Sequence, residues 1–225
     1  MSKIYKPTAG AADWQGFLAD PKKQWRTGFS AKTLAHCWEA ANGLPTEIAS
    51  ILGPLGADLE LLLALPEHKV ALPGAARGES QNDVFALVRA GGRTFAVMVE
   101  GKVSEPFGET LGDWLQNASD GKRYRLAFMS KLLGLTLPLP NDIRYQLLHR
   151  TASAVIEARR FNTDAAVMLV HSFSAERKWF EDFVRFGSLF GVSVTTPSEL
   201  FAIRDNAKPA IYIGWVCGDC KFLSA

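Results

Sequence analysis

The stretch Ser80–Lys102, SQNDVFALVRAGGRTFAVMVEGK, decides the fold. Val84 to Val88 and Thr94 to Val99 are apolar and largely β-branched or aromatic, and Gly91-Gly92 stands between them. Such a pattern predicts a β-hairpin. A two-residue loop sets Ala90 opposite Arg93 and, counting back in step, Phe85 opposite Met98 and Asp83 opposite Glu100. Side chains alternate along a strand. Lys102 therefore shares the face of Glu100, with Gln81 across from it, and Val84, Ala86 and Val88 meet Val99, Val97 and Phe95 on the other face. A loop with an odd number of residues would shift this register. Both faces are apolar, so the hairpin is expected at the centre of a sheet covered on both sides.

Outward from the hairpin, helices and strands alternate. Ser30 is positioned to cap a helix over Ala31 to Asn42, stopped by Gly43, and a short helix is expected after Pro45. Leu59 to Leu65 and His68 to Leu72 read as extended segments broken by Pro66, either an irregular first strand or a hairpin. Helices are expected near Glu109 to Asn117, over Lys122 to Leu133, and from Asp142 to about Arg160. Ala165 to His171 reads as a buried strand, Ala175 to Phe190 as an aromatic-rich helix, and Ile211 to Val216 as a last strand. This order predicts an α/β fold with a mixed central sheet flanked by helices. No repeat or linker divides the chain, so residues 1–225 are expected to form one domain. Around Trp179, Phe180, Phe183 and Phe186 there is more apolar surface than one helical stripe needs, enough for a large core or for a homodimer contact.

The 225 residues are 48% hydrophobic and 21% charged, with a formal charge of +2. That composition suits a globular domain with a sizeable core and carries no strong basic signature of a dedicated nucleic-acid binder. No segment reads as an export signal or a membrane span, and three cysteines fit a reducing compartment, so a cytoplasmic location is expected. Cys217 and Cys220 form a C-x-x-C pair, but the four histidines are scattered and no second pair exists. Ordinary thiols after a last strand are the simpler reading.

The chemistry lies at one end of the hairpin. Two opposed carboxylates, Asp83 and Glu100, repel each other, and desolvating them is costly unless a positive charge compensates. A divalent cation with Lys102 beside it would do so. Mg²⁺ or Mn²⁺ held by Asp83 and Glu100 would suit phosphodiester hydrolysis, with Lys102 acting on water or phosphate. A plain salt bridge at a strand end is the structural alternative.

Ser80-Gln81-Asn82-Asp83, a hairpin, then Glu100-Gly101-Lys102 resembles the motif of the PD-(D/E)XK nuclease superfamily, the restriction-endonuclease-like fold. The surrounding order of elements resembles that core over about residues 30–216. Asn82 stands in place of the name-giving proline, and Gly101 replaces an apolar strand residue. The stretches VEGKVSEPFG, RYQLLHRTASAVIEARRF and MLVHSFS are also similar to an uncharacterised bacterial family. The superfamily resemblance implies a Mg²⁺-dependent nuclease, on DNA ahead of RNA, or an inactive relative that binds nucleic acid or protein. It implies catalytic roles for Asp83, Glu100 and Lys102. It also implies supporting roles for Glu39 from the leading helix and for Gln146 and Arg150, spaced i, i+4 on a crossover helix, with His149 beside them. Glu79 is a weaker candidate, and Lys122, Arg123 and Arg125 are candidates for phosphate contacts.

Overall fold

A computed structural model describes residues 4, 8–74 and 78–225. The central hairpin forms in the register set by its turn. Gly91 and Gly92 take φ of 56° and 76°, the left-handed conformations a two-residue turn demands and glycine tolerates best. In chain order the strands are β1 (Glu60–Ala71), β2 (Glu79–Ala90), β3 (Arg93–Lys102), β4 (Ala165–Ser172), β5 (Leu200–Arg204) and β6 (Ala210–Cys217). They build one six-stranded mixed sheet in the order β1-β2-β3-β4-β6-β5. β2 and β3 pair antiparallel from Ala90↔Arg93 to Val84↔Val99, and β3, β4 and β6 run parallel.

The helices are α1 (Pro21–Gln24), α2 (Ser30–Ala41), α3 (Thr46–Leu52), α4 (Leu111–Leu115), α5 (Asp120–Leu133), α6 (Tyr145–Arg160) and α7 (Phe180–Ser188). A parallel strand pair cannot close with a tight turn, and α4 to α6 supply the crossover between β3 and β4. Because β3 and β4 are buried on both sides, their side chains feed two cores. Phe85, Met98, Met168 and Trp215 pack with Leu147, Leu148 and Phe183 under α5 to α7. Val84, Val97, Val99 and Leu169 pack with Leu34, Trp38, Ile48 and Ile51 under α2 and α3. An α/β sheet flanked by helices is thus the fold expected.

Several boundaries move, each for a local reason. β1 runs unbroken through Pro66, which pairs with Val84. An edge strand tolerates proline because one side of its ladder has no partner. Ser30 is the first residue of α2, not its cap: Phe29 holds that position, and the Ser30 N–H donates to Glu105 Oε1 at 2.7 Å. Asn42 in the left-handed region ends α2 ahead of Gly43. Asp142 does not open α6, whose N-cap is Arg144. The helix expected from Ala175 shortens to α7, because Arg177 and Trp179 adopt left-handed backbone (φ 54° and 69°). β5 was not foreseen. The aromatic surplus goes largely into the core, with Phe183 and Phe186 fully buried and Phe180 edge-on to Trp215. Among the described residues no helix is long and apolar enough to cross a membrane.

Candidate functional site

The carboxyl end of β3 and the neighbouring parts of β1 and β2 open on a cleft of about 380 Å³ lined by Glu67, Asp83, Glu100, Lys102, Gln146 and Arg150, among others. In open α/β sheets the crevice beyond the carboxyl ends of the strands is the usual place for a ligand. Register brings the acids together. Val84↔Val99 is the last ladder pair of the hairpin, and one step further Asp83 faces Glu100. On the other side of β2, Pro66↔Val84 and His68↔Asn82 leave Glu67 facing Asp83. Three carboxylates therefore stand on three adjacent strands. Glu67, at φ 50°, is kinked out of regular strand geometry and buried, and Gln81 Nε2 donates to its Oε2 at 2.7 Å.

Glu100 sits at the floor with its charge enclosed. Lys102 Nζ donates to Oε1 at 2.6 Å, Gln146 Nε2 to the same oxygen at 2.7 Å, and Arg150 Nε to Oε2 at 2.5 Å. Burial alone would raise its pKa, but Arg150 and Lys102 override that and hold it at about 2. Arg150 also donates to Ser80 Oγ at 3.0 Å, and Ser80 Oγ lies 2.8 Å from His149 Nδ1. Burial, with Arg150 next to it, keeps His149 well below its usual value, so its imidazole is neutral. Lys102 Nζ also lies 5.0 Å from the Phe107 ring centroid, a cation–π contact that helps fix it.

Asp83 is the opposite case. Its Oδ2 accepts the Gly101 N–H at 2.7 Å. Even so, burial first, then Glu100 and Glu67, raise its pKa well above the ordinary carboxylate range. Within one cleft, one carboxylate is over-supplied with positive charge and its neighbour is short of it.

The remaining sequence candidates lie elsewhere. Glu39 accepts from Trp14 Nε1 at 2.8 Å and from Thr8 Oγ1 at 3.1 Å, tying the amino-terminal turn to α2 outside the cleft. Glu79 is exposed and pairs with Lys69. Lys122 donates to Trp114 O and Arg125 to Pro73 O, so both brace loops. Glu67 escaped the sequence reading because Pro66 looked like the end of a strand. Carrying the strand through the proline would have placed Glu67 beside Asp83.

A second group lies on the opposite face of the sheet. Cys37 of α2, Glu47 of α3 and His171 of β4 bring one donor atom each within 4.8 Å of one another, a cluster able to hold a metal ion. Glu47 Oε1 is 3.0 Å from His171 Nε2 and accepts the Cys37 Sγ–H at 3.5 Å. Burial keeps His171 below its usual value despite Glu47, and burial together with Glu47 pushes the Cys37 thiol up. The C-x-x-C cysteines are free thiols, as is Cys37.

Fold and sites together define an α/β protein with a carboxylate cleft on one face of its sheet and a mixed thiol–carboxylate–imidazole cluster on the other. The chain belongs to a family described as a domain of unknown function (DUF6946), which matches residues 7–220. Comparison with curated proteins and with solved structures finds no match.

Proposed function

We propose that this chain is a divalent-metal-dependent nuclease of the PD-(D/E)XK type, working in the cytoplasm on DNA ahead of RNA. The observation that carries the reading is the convergence of Glu67, Asp83 and Glu100 on three adjacent strands with Lys102, Gln146 and Arg150 in one cleft. The donor set suits Mg²⁺ or Mn²⁺: all-oxygen, anionic, and crowded enough that burial, Glu100 and Glu67 raise the Asp83 pKa. Asp83 would hold the ion with Glu100 or Glu67. When bound, the ion would polarise a phosphate oxygen and acidify water. Arg150 and Gln146 fix the Glu100 carboxylate, each through one hydrogen bond. Lys102, the cation nearest the cleft acids with Arg150, orients the attacking water and offsets charge developing on the phosphate.

One observation favours a second reading, a nuclease fold retained for binding without turnover. Lys102 is already bonded to Glu100, and three donors occupy most of that carboxylate's acceptor positions. The experiment that separates the readings is cleavage of double- and single-stranded DNA and RNA with Mg²⁺ or Mn²⁺, with chelator as the control. Wild type should nick at least one substrate, and Lys102→Ala should lose about 100-fold or more of that rate. Cleavage by Lys102→Ala at the wild-type rate would sink the assignment. Nucleic-acid binding without cleavage by wild type would establish the second reading instead.

A further inference from the structure

On the far side of the sheet from the cleft, Cys37, Glu47 and His171 come from the consecutive helices α2 and α3 and from the distant strand β4, and their donor atoms meet within 4.8 Å. The spacing can be set against coordination geometry. With Zn–S of about 2.3 Å and Zn–N and Zn–O of about 2.0 Å, neighbouring ligand atoms of a tetrahedral site lie about 3.5 Å (S to O) and about 3.3 Å (N to O) apart. The structure has 3.5 Å from Cys37 Sγ to Glu47 Oε1 and 3.0 Å from His171 Nε2 to the same oxygen. Two edges of a zinc site are nearly in place, and the third lies within 4.8 Å.

The order of the groups argues against a nucleophilic triad. In a triad the imidazole stands between nucleophile and carboxylate so that it can take the proton. Here the carboxylate stands between thiol and imidazole. Cys37 is 2% exposed and His171 0%, which leaves no face for an organic substrate.

A close backbone contact marks the imidazole. Gly218 passes beside it, held by its N–H donating to Ser172 O at 2.7 Å. A Cβ there would lie 2.8 Å from His171 Nε2 and 2.5 Å from the Phe173 ring, so only glycine keeps that nitrogen clear. On the other side of the ring, His171 Nδ1 is buried with no hydrogen-bond partner among the described residues.

We propose that Cys37, Glu47 and His171 form a Zn²⁺ site, with water completing its coordination. One sulfur, one nitrogen and one oxygen suit a borderline-soft ion and not the hard Mg²⁺ suited to the cleft. On binding, Cys37 releases its proton to solvent, and His171 coordinates through Nε2 as the tautomer protonated at Nδ1. The ion clamps α2 and α3 onto β4 directly behind the cleft, where Gly101 of β3 is the register partner of His171.

Co²⁺ titration of the metal-free full-length chain tests this. Wild type should bind one Co²⁺ with a thiolate-to-cobalt charge-transfer band, Zn²⁺ should displace it, and Zn²⁺ alone should raise the melting temperature. Cys37→Ser should lose the band. Glu47→Gln should keep the band but bind cobalt about tenfold or more weakly. The double variant Cys217→Ala/Cys220→Ala and the cleft variant Asp83→Asn should both keep the wild-type charge-transfer band. Absence of a sulfur band in wild type overturns the proposal whether or not the Cys37 variant folds. So does a band that survives Cys37→Ser, or one that vanishes with the C-x-x-C pair and thereby belongs to those thiols.

Discussion

The two faces of one sheet treat a glutamate in opposite ways at nearly the same height. Glu100 on the α6 face is surrounded by a guanidinium, an ammonium and an amide. Glu47, behind β4, is bonded to a thiol and a neutral imidazole. Only one residue of register separates Glu100 from His171, the partner of Glu47, since Glu100 pairs with Val170 and Gly101 with His171. Strand alternation sends successive residues into different chemical worlds, so the groups brought in by the helices decide what each carboxylate is for. α6 brings Arg150 and β3 adds Lys102, so the front glutamate is compensated by the chain itself. To the rear glutamate α2 brings a thiol and β4 an imidazole, and in the proposal above compensation there falls to an ion.

This contrast is open to direct test, and the largest effect should come from the front. Removing one partner of a buried ion pair costs about 3–5 kcal/mol, because the other charge stays buried alone. Arg150→Ala should therefore lower urea-unfolding stability by about 3 kcal/mol or more. Glu47→Gln, in chelated protein, should cost only about 1 kcal/mol, the worth of an ordinary hydrogen bond. Equal losses would mean that the two faces do not differ in the way described.

Smaller, and opposite in sign, is the expected effect of Asp83→Asn. The folded-state pKa of Asp83 is raised by burial and by Glu100 and Glu67. The folded chain thus holds this proton more tightly than the unfolded chain, and stability from this group is lost as pH rises from the ordinary carboxylate range through the raised value. Glu100 works the other way: its contribution is present above about 4.3, its ordinary value, and is lost as pH falls through about 2. Asp83→Asn should flatten the loss on the alkaline side and add about 1 kcal/mol near neutral pH without divalent ions. Parallel stability–pH curves for the two proteins would remove Asp83 from the acid cluster.

Least should be felt from Gly101→Ala. An added methyl would lie 3.2 Å from Leu34 Cδ2 and 3.3 Å from Asp83 Oδ2, tight on both sides but within reach of a small adjustment. A loss of about 1 kcal/mol or less is expected, together with a shift of the Asp83-linked pH slope. A methyl that changed stability but left that slope untouched would show that α2 and the cleft are not in contact through this residue.

The front site was legible because its key spacing is local. A glycine pair fixes the hairpin register, and the register fixes the Asp83–Glu100 pairing; Gln146 and Arg150 follow from helical spacing. Glu67 was hidden by Pro66, which breaks most strands but is harmless at an edge. Glu39 sits on the expected helix yet turns to Trp14, a contact that depends on how the amino-terminal turn docks. The rear cluster was invisible because Glu47 and His171 are 124 residues apart and each looks unremarkable among its neighbours. Short LFAIR at the far edge has no turn signature strong enough to announce β5.

The cleft is also a boundary between early and late chain. Leu18, Ala19, Lys23, Gln24 and Phe29 to Ala31 form one wall, all preceding β1, while the acids and cations stand on the sheet, α6 and the loop after β3. Bonds across this boundary include Ser30 N–H to Glu105 and Gln81 Nε2 to Phe17 O. The aperture is therefore set by docking of the leading segment and not by the sheet. Widening it gives up contacts worth about 1 kcal/mol apiece, while the three carboxylates keep the spacing that the strands impose.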